Sequence, residues 1–150
     1  MKLLIVLSST LLLTGCFDNG DQEVEKSPST EKISFSESIN LNKGVELGQK
    51  VFLNNCVACH GQEGQGLVKD WKKRQADGKF PAPPVNGSGH AWHHSPMALM
   101  NTINNGGVKL GGWMPGFKDQ LSEIEKQAVL DYLHDLWPEA TQKKYDARFK

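Results

Sequence analysis

The sequence predicts an all-α domain. No stretch alternates apolar and polar residues as a half-buried strand would. Three segments instead repeat apolar residues at helical spacing, each with a recognisable start or stop, and the linkers between them are rich in glycine and proline. At 150 residues the chain has room for one domain with its own core, standing without disulfides. Its formal charge is zero, which gives no footing for a nucleic-acid partner.

The first 40 residues read as a leader and a tether. Lys2 precedes an apolar stretch, Leu3 to Leu13. That run is well short of the roughly 20 residues a membrane span needs and has the length of a signal-peptide core. It closes on Leu13-Thr14-Gly15-Cys16, which resembles the lipobox of bacterial lipoproteins. The resemblance implies removal of residues 1–15 as a signal peptide and acylation of Cys16. An ordinary secretory leader with a stray cysteine is the alternative. Several acyl chains would hold the protein firmly to a membrane, where one chain is marginal. Residues 17–40 carry six acids against Lys26 and Lys32, five serines and Pro28. Such a composition cannot bury enough surface to fold alone, and a coil of this length reaches roughly 25–30 Å. An arm wrapped on the domain is the other reading.

The domain is expected over residues 41–150. Asn42 is a candidate cap for a first helix in which Val45, Gly48, Val51 and Phe52 fall near helical spacing. That helix leads into Cys56-Val57-Ala58-Cys59-His60. Two thiols at this spacing can each add across a vinyl group of a haem, and the next histidine is then held under the iron as its proximal ligand. Covalent attachment suits a haem kept outside the cytoplasm, so the leader and this motif point the same way. A charged insertion, residues 67–80, follows with Lys69, Lys72, Lys73, Arg74 and Lys79 against Asp70 and Asp77. It is either a solvated loop or a docking patch for an acidic partner. The segment from Pro81 to Gly87 is stiffened by three prolines and cannot be helical. A second helix starts at Ser95 as cap and Pro96 as first residue, with Met97, Leu99, Met100 and Ile103 as its expected buried side. The glycine-rich loop from Gly106 to Gly116 carries Met114. A last helix has a capping box, Ser122 with Glu125, and a stripe of Ile124, Ala128, Val129, Tyr132, Leu133 and Leu136 that ends at Pro138. His134 falls on its exposed side.

A haem iron that passes electrons without binding small molecules needs a sixth ligand, and a methionine thioether favours the ferrous state. Met114 is the candidate: Gly111, Gly112 and Gly116 permit close approach of its loop. Met97 and Met100 are the rivals, better explained as core packing, and a histidine or an open site are further options. The far nitrogen of His60 needs an acceptor to fix its tautomer. The carbonyl of Pro83 is the candidate, unless the prolines only shape the loop. His90, His93, His94, Met97 and Met100 offer the ligand types of a copper site. The plainer reading is a histidine-bearing loop that runs into a helix.

In this order, helix, Cys56-x-x-Cys59-His60, proline segment, helix, Met114-Pro115 loop and terminal helix, the chain resembles the monohaem class I cytochromes c of bacteria over roughly residues 43–138. The resemblance implies three to five helices wrapped around one covalent haem c. It implies a crossing of the first and last helices at Gly48 and Phe52 against Tyr132. Pro83, Val85 and Gly87 match the family's proline–x–leucine–x–glycine stretch, with valine for leucine. The implied function is one-electron transfer through a haem ligated by His60 and Met114, with no catalytic residues. Redox proteins of an electron-transport chain would be the partners of a monomer anchored at a bacterial membrane and facing the periplasm or exterior. A copper-handling protein and a five-coordinate haem protein reacting with gases or peroxide are the alternatives.

Overall fold

A computed structural model describes residues 35–150, with side chains from Asn40 onward. The leader, Cys16 and most of the tether lie outside the described residues. Five α-helices follow in order: α1 (Phe35–Asn55), α2 (Val57–His60), α3 (Pro96–Asn105), α4 (Glu123–Asp135) and α5 (Glu139–Phe149). Two short 3-10 turns, Ala91–His93 and Val108–Leu110, punctuate the loops. The described residues contain no strand, so the all-α class holds. No helix among them is long and apolar enough to cross a membrane.

The core is the packing of α1 on α4, with α3 laid against α4. Val51 and Phe52 of α1 meet Val129, Leu130, Tyr132 and Leu133 of α4, and Ile103, Phe117 and Leu121 close the cluster. Phe52 is 1% exposed. Burying a side chain of that size contributes about 1.5–3 kcal/mol, and its ring meets Tyr132 at 5.4 Å in a tilted pair. The helices touch closely because Gly48 has no side chain. A Cβ there would collide with the Ala128 carbonyl oxygen and stand 2.8 Å from Tyr132 Cβ.

Local chemistry explains the helix ends. The Ser95 hydroxyl accepts from Ala98 N at 3.2 Å, with Pro96 at the first helical position. The capping box of α4 is complete: Ser122 Oγ accepts from Glu125 N and the Glu125 carboxylate accepts from Ser122 N.

Several expectations are corrected. α1 begins at Phe35, so Asn42 lies inside it instead of capping it. Ile124, read as part of the buried stripe of α4, is 74% exposed, whereas Lys126 is fully buried. Its ammonium reaches Asn104 Oδ1 at 2.7 Å and Glu123 Oε1 at 2.6 Å, which satisfies a charge that would otherwise be costly to bury. Met97 projects outward at 81% exposure, leaving Leu99, Met100 and Ile103 as the packed side of α3. Pro138 ends one helix but also starts another. α5 folds back so that Trp137 and Tyr145 form a second cluster with Ala91. His134, expected in solvent, is half-buried there and bonded to Asp146 at 2.9 Å.

Candidate haem site

The candidate haem site begins where α1 ends. Cys56 N is bonded to Phe52 O at 2.8 Å, and the chain then makes one helical turn in which Cys59 N and His60 N both reach Cys56 O, at 3.1 and 3.0 Å. That turn, α2, places Cys56, Cys59 and His60 together at the end of the core helix. Both cysteines are free thiols. Cys59 is exposed, while Cys56 is half-buried and packs against the main core. Burial, aided by the neighbouring Cys59, pushes the Cys56 thiol up to about 11, so it stands as neutral S–H at neutral pH.

Gly61 turns the chain out of α2 with φ +78°, a conformation that favours glycine. Gly66 N then returns to His60 O at 2.7 Å, and Gly64 O accepts from Val85 N at 2.7 Å and Asn86 N at 3.2 Å. The exit turn therefore holds the proline segment against the motif. His60 Nδ1 lies 2.9 Å from the Pro83 carbonyl oxygen. A carbonyl can only accept, so Nδ1 carries the proton and Nε2 is left with a free lone pair. Burial presses the imidazole below its ordinary range, partly opposed by the Pro83 bond, and so favours the neutral ring.

Met114 is half-buried and packs against the same core cluster as Cys56. Its loop is closed by Gly107 N donating to Met114 O at 2.9 Å, with Phe117 N and Lys118 N bonded to the last turn of α3. Gly106, at φ +75°, lets that backbone pass: a Cβ there would strike the Met114 carbonyl and stand 2.7 Å from the Pro115 carbonyl carbon. Met100 also packs on this cluster from α3, whereas Met97 does not.

These residues fit a haem. Two free thiols and an imidazole with an unprotonated Nε2 share one turn, and a thioether lies in a loop packed on the same core.

In the histidine-rich loop the rings stack on aromatic neighbours and on one another. His90 stacks on Trp71 at 5.0 Å and 8°, His94 meets His90 edge-on at 5.2 Å, and His93 stacks on Trp92 at 3.7 Å. Among the described residues no group of three or more His, Cys, Asp or Glu side chains is placed to hold a metal ion. In the insertion, Lys69, Lys72, Lys73 and Arg74 are exposed. Lys73 pairs with Asp70 at 3.1 Å, Lys72 lies over Trp71, and Arg74 lies over Phe80.

One contact near the site had no signal in the sequence. Trp137 Nε1 donates to Val85 O at 2.8 Å across 52 positions. Val85 is thereby held from both sides, by Gly64 and by the indole, two residues beyond Pro83. A tryptophan just before a helix-starting proline marks a buried aromatic at most, and its partner cannot be read from spacing.

Residues 44–133 match the family described as cytochrome C oxidase, cbb3-type, subunit III. Among curated relatives, the chain is 34% identical over 98 residues to the cbb3-type cytochrome c oxidase subunit CcoP of Rhodobacter capsulatus, covering 59% of this chain and 28% of that one. It is 29% identical over 106 residues to the cytochrome c subunit of the quinone alcohol dehydrogenase of Gluconobacter oxydans, covering 65% of this chain and 20% of the relative. It is 32% identical over 89 residues to cytochrome c6 of Cladophora glomerata, covering 59% of this chain and 84% of that small protein. The chain thus spans less than a third of the two larger relatives. No solved structure gives a significant match.

Proposed function

The chain belongs to the c-type cytochrome family described as cytochrome C oxidase, cbb3-type, subunit III, whose cofactor is covalent haem c, and from that premise we propose that it is a lipid-anchored electron carrier with His60 and Met114 as iron ligands. Electron transfer is the activity common to its relatives. The finer points are our own reading: residues 1–15 are a signal peptide, Cys16 is acylated, and the tether lets a monomeric domain move between partners on the periplasmic or outer face of a bacterial membrane. Those partners are redox proteins of an electron-transport chain, and nucleic acid is not among them.

The observation that carries the reading is the His60–Pro83 hydrogen bond within a turn that also presents Cys56 and Cys59. The haem supplies a one-electron couple. The residues do the rest. Cys56 and Cys59 are its thioether attachments and prevent its loss. Pro83 fixes the imidazole in the tautomer that offers Nε2 and makes it a stronger donor. Met114 would supply the second protein ligand to the iron, and a thioether there would exclude small molecules and favour the reduced form. Cys56 and Met114 pack against the main core, which would limit their movement on a change of oxidation state.

Intact-mass analysis of the full chain, expressed and exported in a bacterium, tests the reading. The expected product lacks residues 1–15, carries one haem, and bears acyl chains at Cys16. Cys56→Ser with Cys59→Ser should release the haem, and Cys16→Ala should release the protein from membranes. A Cys16→Ala protein still fully membrane-bound would contradict the lipid anchor.

A further inference from the structure

The insertion between the haem motif and the proline segment is more than a solvated loop, because its second half is bonded to the loop that carries Met114. Asp77 Oδ1 accepts from Lys79 N at 2.8 Å, which fixes the carboxylate, and its Oδ2 accepts from Trp113 Nε1 at 2.9 Å. Phe80 N donates to Gly111 O at 2.8 Å. The Lys79 ammonium lies over the Trp113 ring at 5.5 Å, and the Arg74 guanidinium over Phe80 at 4.2 Å. The turn itself is closed by Gln75 N to Lys79 O, Gly78 N to Gln75 O and Arg74 Nη1 to Gly78 O. The Lys79 backbone N–H chiefly, with the Trp113 and Lys79 contacts adding to it, holds the Asp77 carboxyl below its ordinary range, so it is an ionised acceptor at neutral pH.

We propose that residues 74–80 form a strap across the Met114 loop, with Asp77 and Trp113 as positioning residues that keep the thioether in place against competing ligands. This rests on the reading of Met114 as a haem ligand. Trp113 is the residue directly before Met114, so a hydrogen bond that fixes the indole restrains the backbone from which the thioether projects. The contacts are exposed, and exposed charged pairs add little to global stability. Opening of one loop is a separate and much cheaper event than unfolding. An external ligand that needs the open loop binds in proportion to the open fraction. Loss of the strap therefore registers in ligand access before it registers in unfolding.

The test is titration of the oxidised, haem-loaded full chain with imidazole, followed by loss of the methionine-to-iron charge-transfer band. Asp77→Ala and Trp113→Phe are each expected to tighten apparent imidazole affinity several-fold, and the double variant no further than the stronger single one. The melting temperature of Asp77→Ala should stay near that of the wild type. Asp70→Ala, which removes the Lys73 pair elsewhere in the insertion, should leave imidazole affinity unchanged. Wild-type affinity in both strap variants overturns the proposal, as does equal tightening in Asp70→Ala, which would reveal only a general loosening. A wild-type protein that lacks the charge-transfer band overturns the ligand reading, and the strap with it.

Discussion

The Nδ1 of His60 donates to the carbonyl of Pro83 at 2.9 Å, and this contact joins the haem motif to a segment 23 positions downstream. The proline segment cannot drift, because Val85 is bonded to Gly64 on one side and to the Trp137 indole on the other. The segment that accepts the His60 bond is thus tied to a tryptophan beyond α4, outside the span that matches the family.

Trp137→Phe tests that tie. The phenyl ring preserves most of the packing on Tyr145 but leaves the Val85 carbonyl without its donor. Losing one partner of a shielded hydrogen bond costs about 1–3 kcal/mol, read as a lower denaturant midpoint at unchanged slope. A midpoint equal to the wild type would show that the bond is not needed to hold the segment.

Gly48→Ala should be among the most damaging single methyl additions. The new Cβ meets Ala128 and Tyr132 backbone and Cβ atoms that cannot step aside, so α1 and α4 must separate. Overpacking of this kind costs about 1–3 kcal/mol and occasionally more. Chemical denaturation should place this variant well below Gly44→Ala, whose Cβ meets only the Asp131 carboxylate at 3.3 Å.

Gly106→Ala is expected to act on the Met114 loop more than on the fold. Its positive φ costs an alanine about 1–3 kcal/mol, and the Cβ pushes directly on the Met114–Pro115 backbone. With Met114 as a ligand, the variant should keep its covalent haem while its methionine charge-transfer band weakens. An unchanged band would separate the loop's position from the ligation.

Much of this arrangement was legible in the sequence. Ser95 before Pro96 and Ser122 with Glu125 state their helix starts locally, and the Cys56–His60 string and the stiff proline run are equally local. What could not be read depends on partners far along the chain. Lys126 breaks the apolar stripe of α4, and its buried ammonium is received by Glu123 on the same helix and by Asn104, 22 positions earlier. α5 lacks a continuous apolar stripe and is held by Tyr145 and Phe149 near Trp137, so its pattern reads as polar. The insertion reads as a solvated loop or a docking patch, and neither reading foretells that Lys79 lies over Trp113, 34 positions further on, or that Arg74 lies over Phe80.

Asp146 gives the fold a predictable acid response. Burial, the largest influence, raises its carboxyl. Hydrogen bonds and charges from Lys150 at 3.0 Å and His134 at 2.9 Å together outweigh it and hold the carboxyl below its ordinary 3.8. A carboxylate depressed by folding stabilises fully above its unfolded value, and that stability is lost as pH falls through the lower folded value. Asp146→Asn should therefore melt lower at neutral pH and lose less on acidification through that range. With 38% of the side chain exposed, the neutral-pH effect should stay under about 1 kcal/mol. Parallel melting curves for the two proteins from neutral pH to below pH 3.8 would contradict the assignment.

The most direct test of the central claim is the visible absorption spectrum of the exported protein, oxidised and reduced, with and without carbon monoxide. A carrier closed by His60 and Met114 predicts a low-spin spectrum indifferent to carbon monoxide, with a methionine charge-transfer band that disappears in Met114→Ala. A high-spin spectrum that shifts on adding carbon monoxide to the wild type would contradict it and place ligand binding, not simple electron transfer, at the iron.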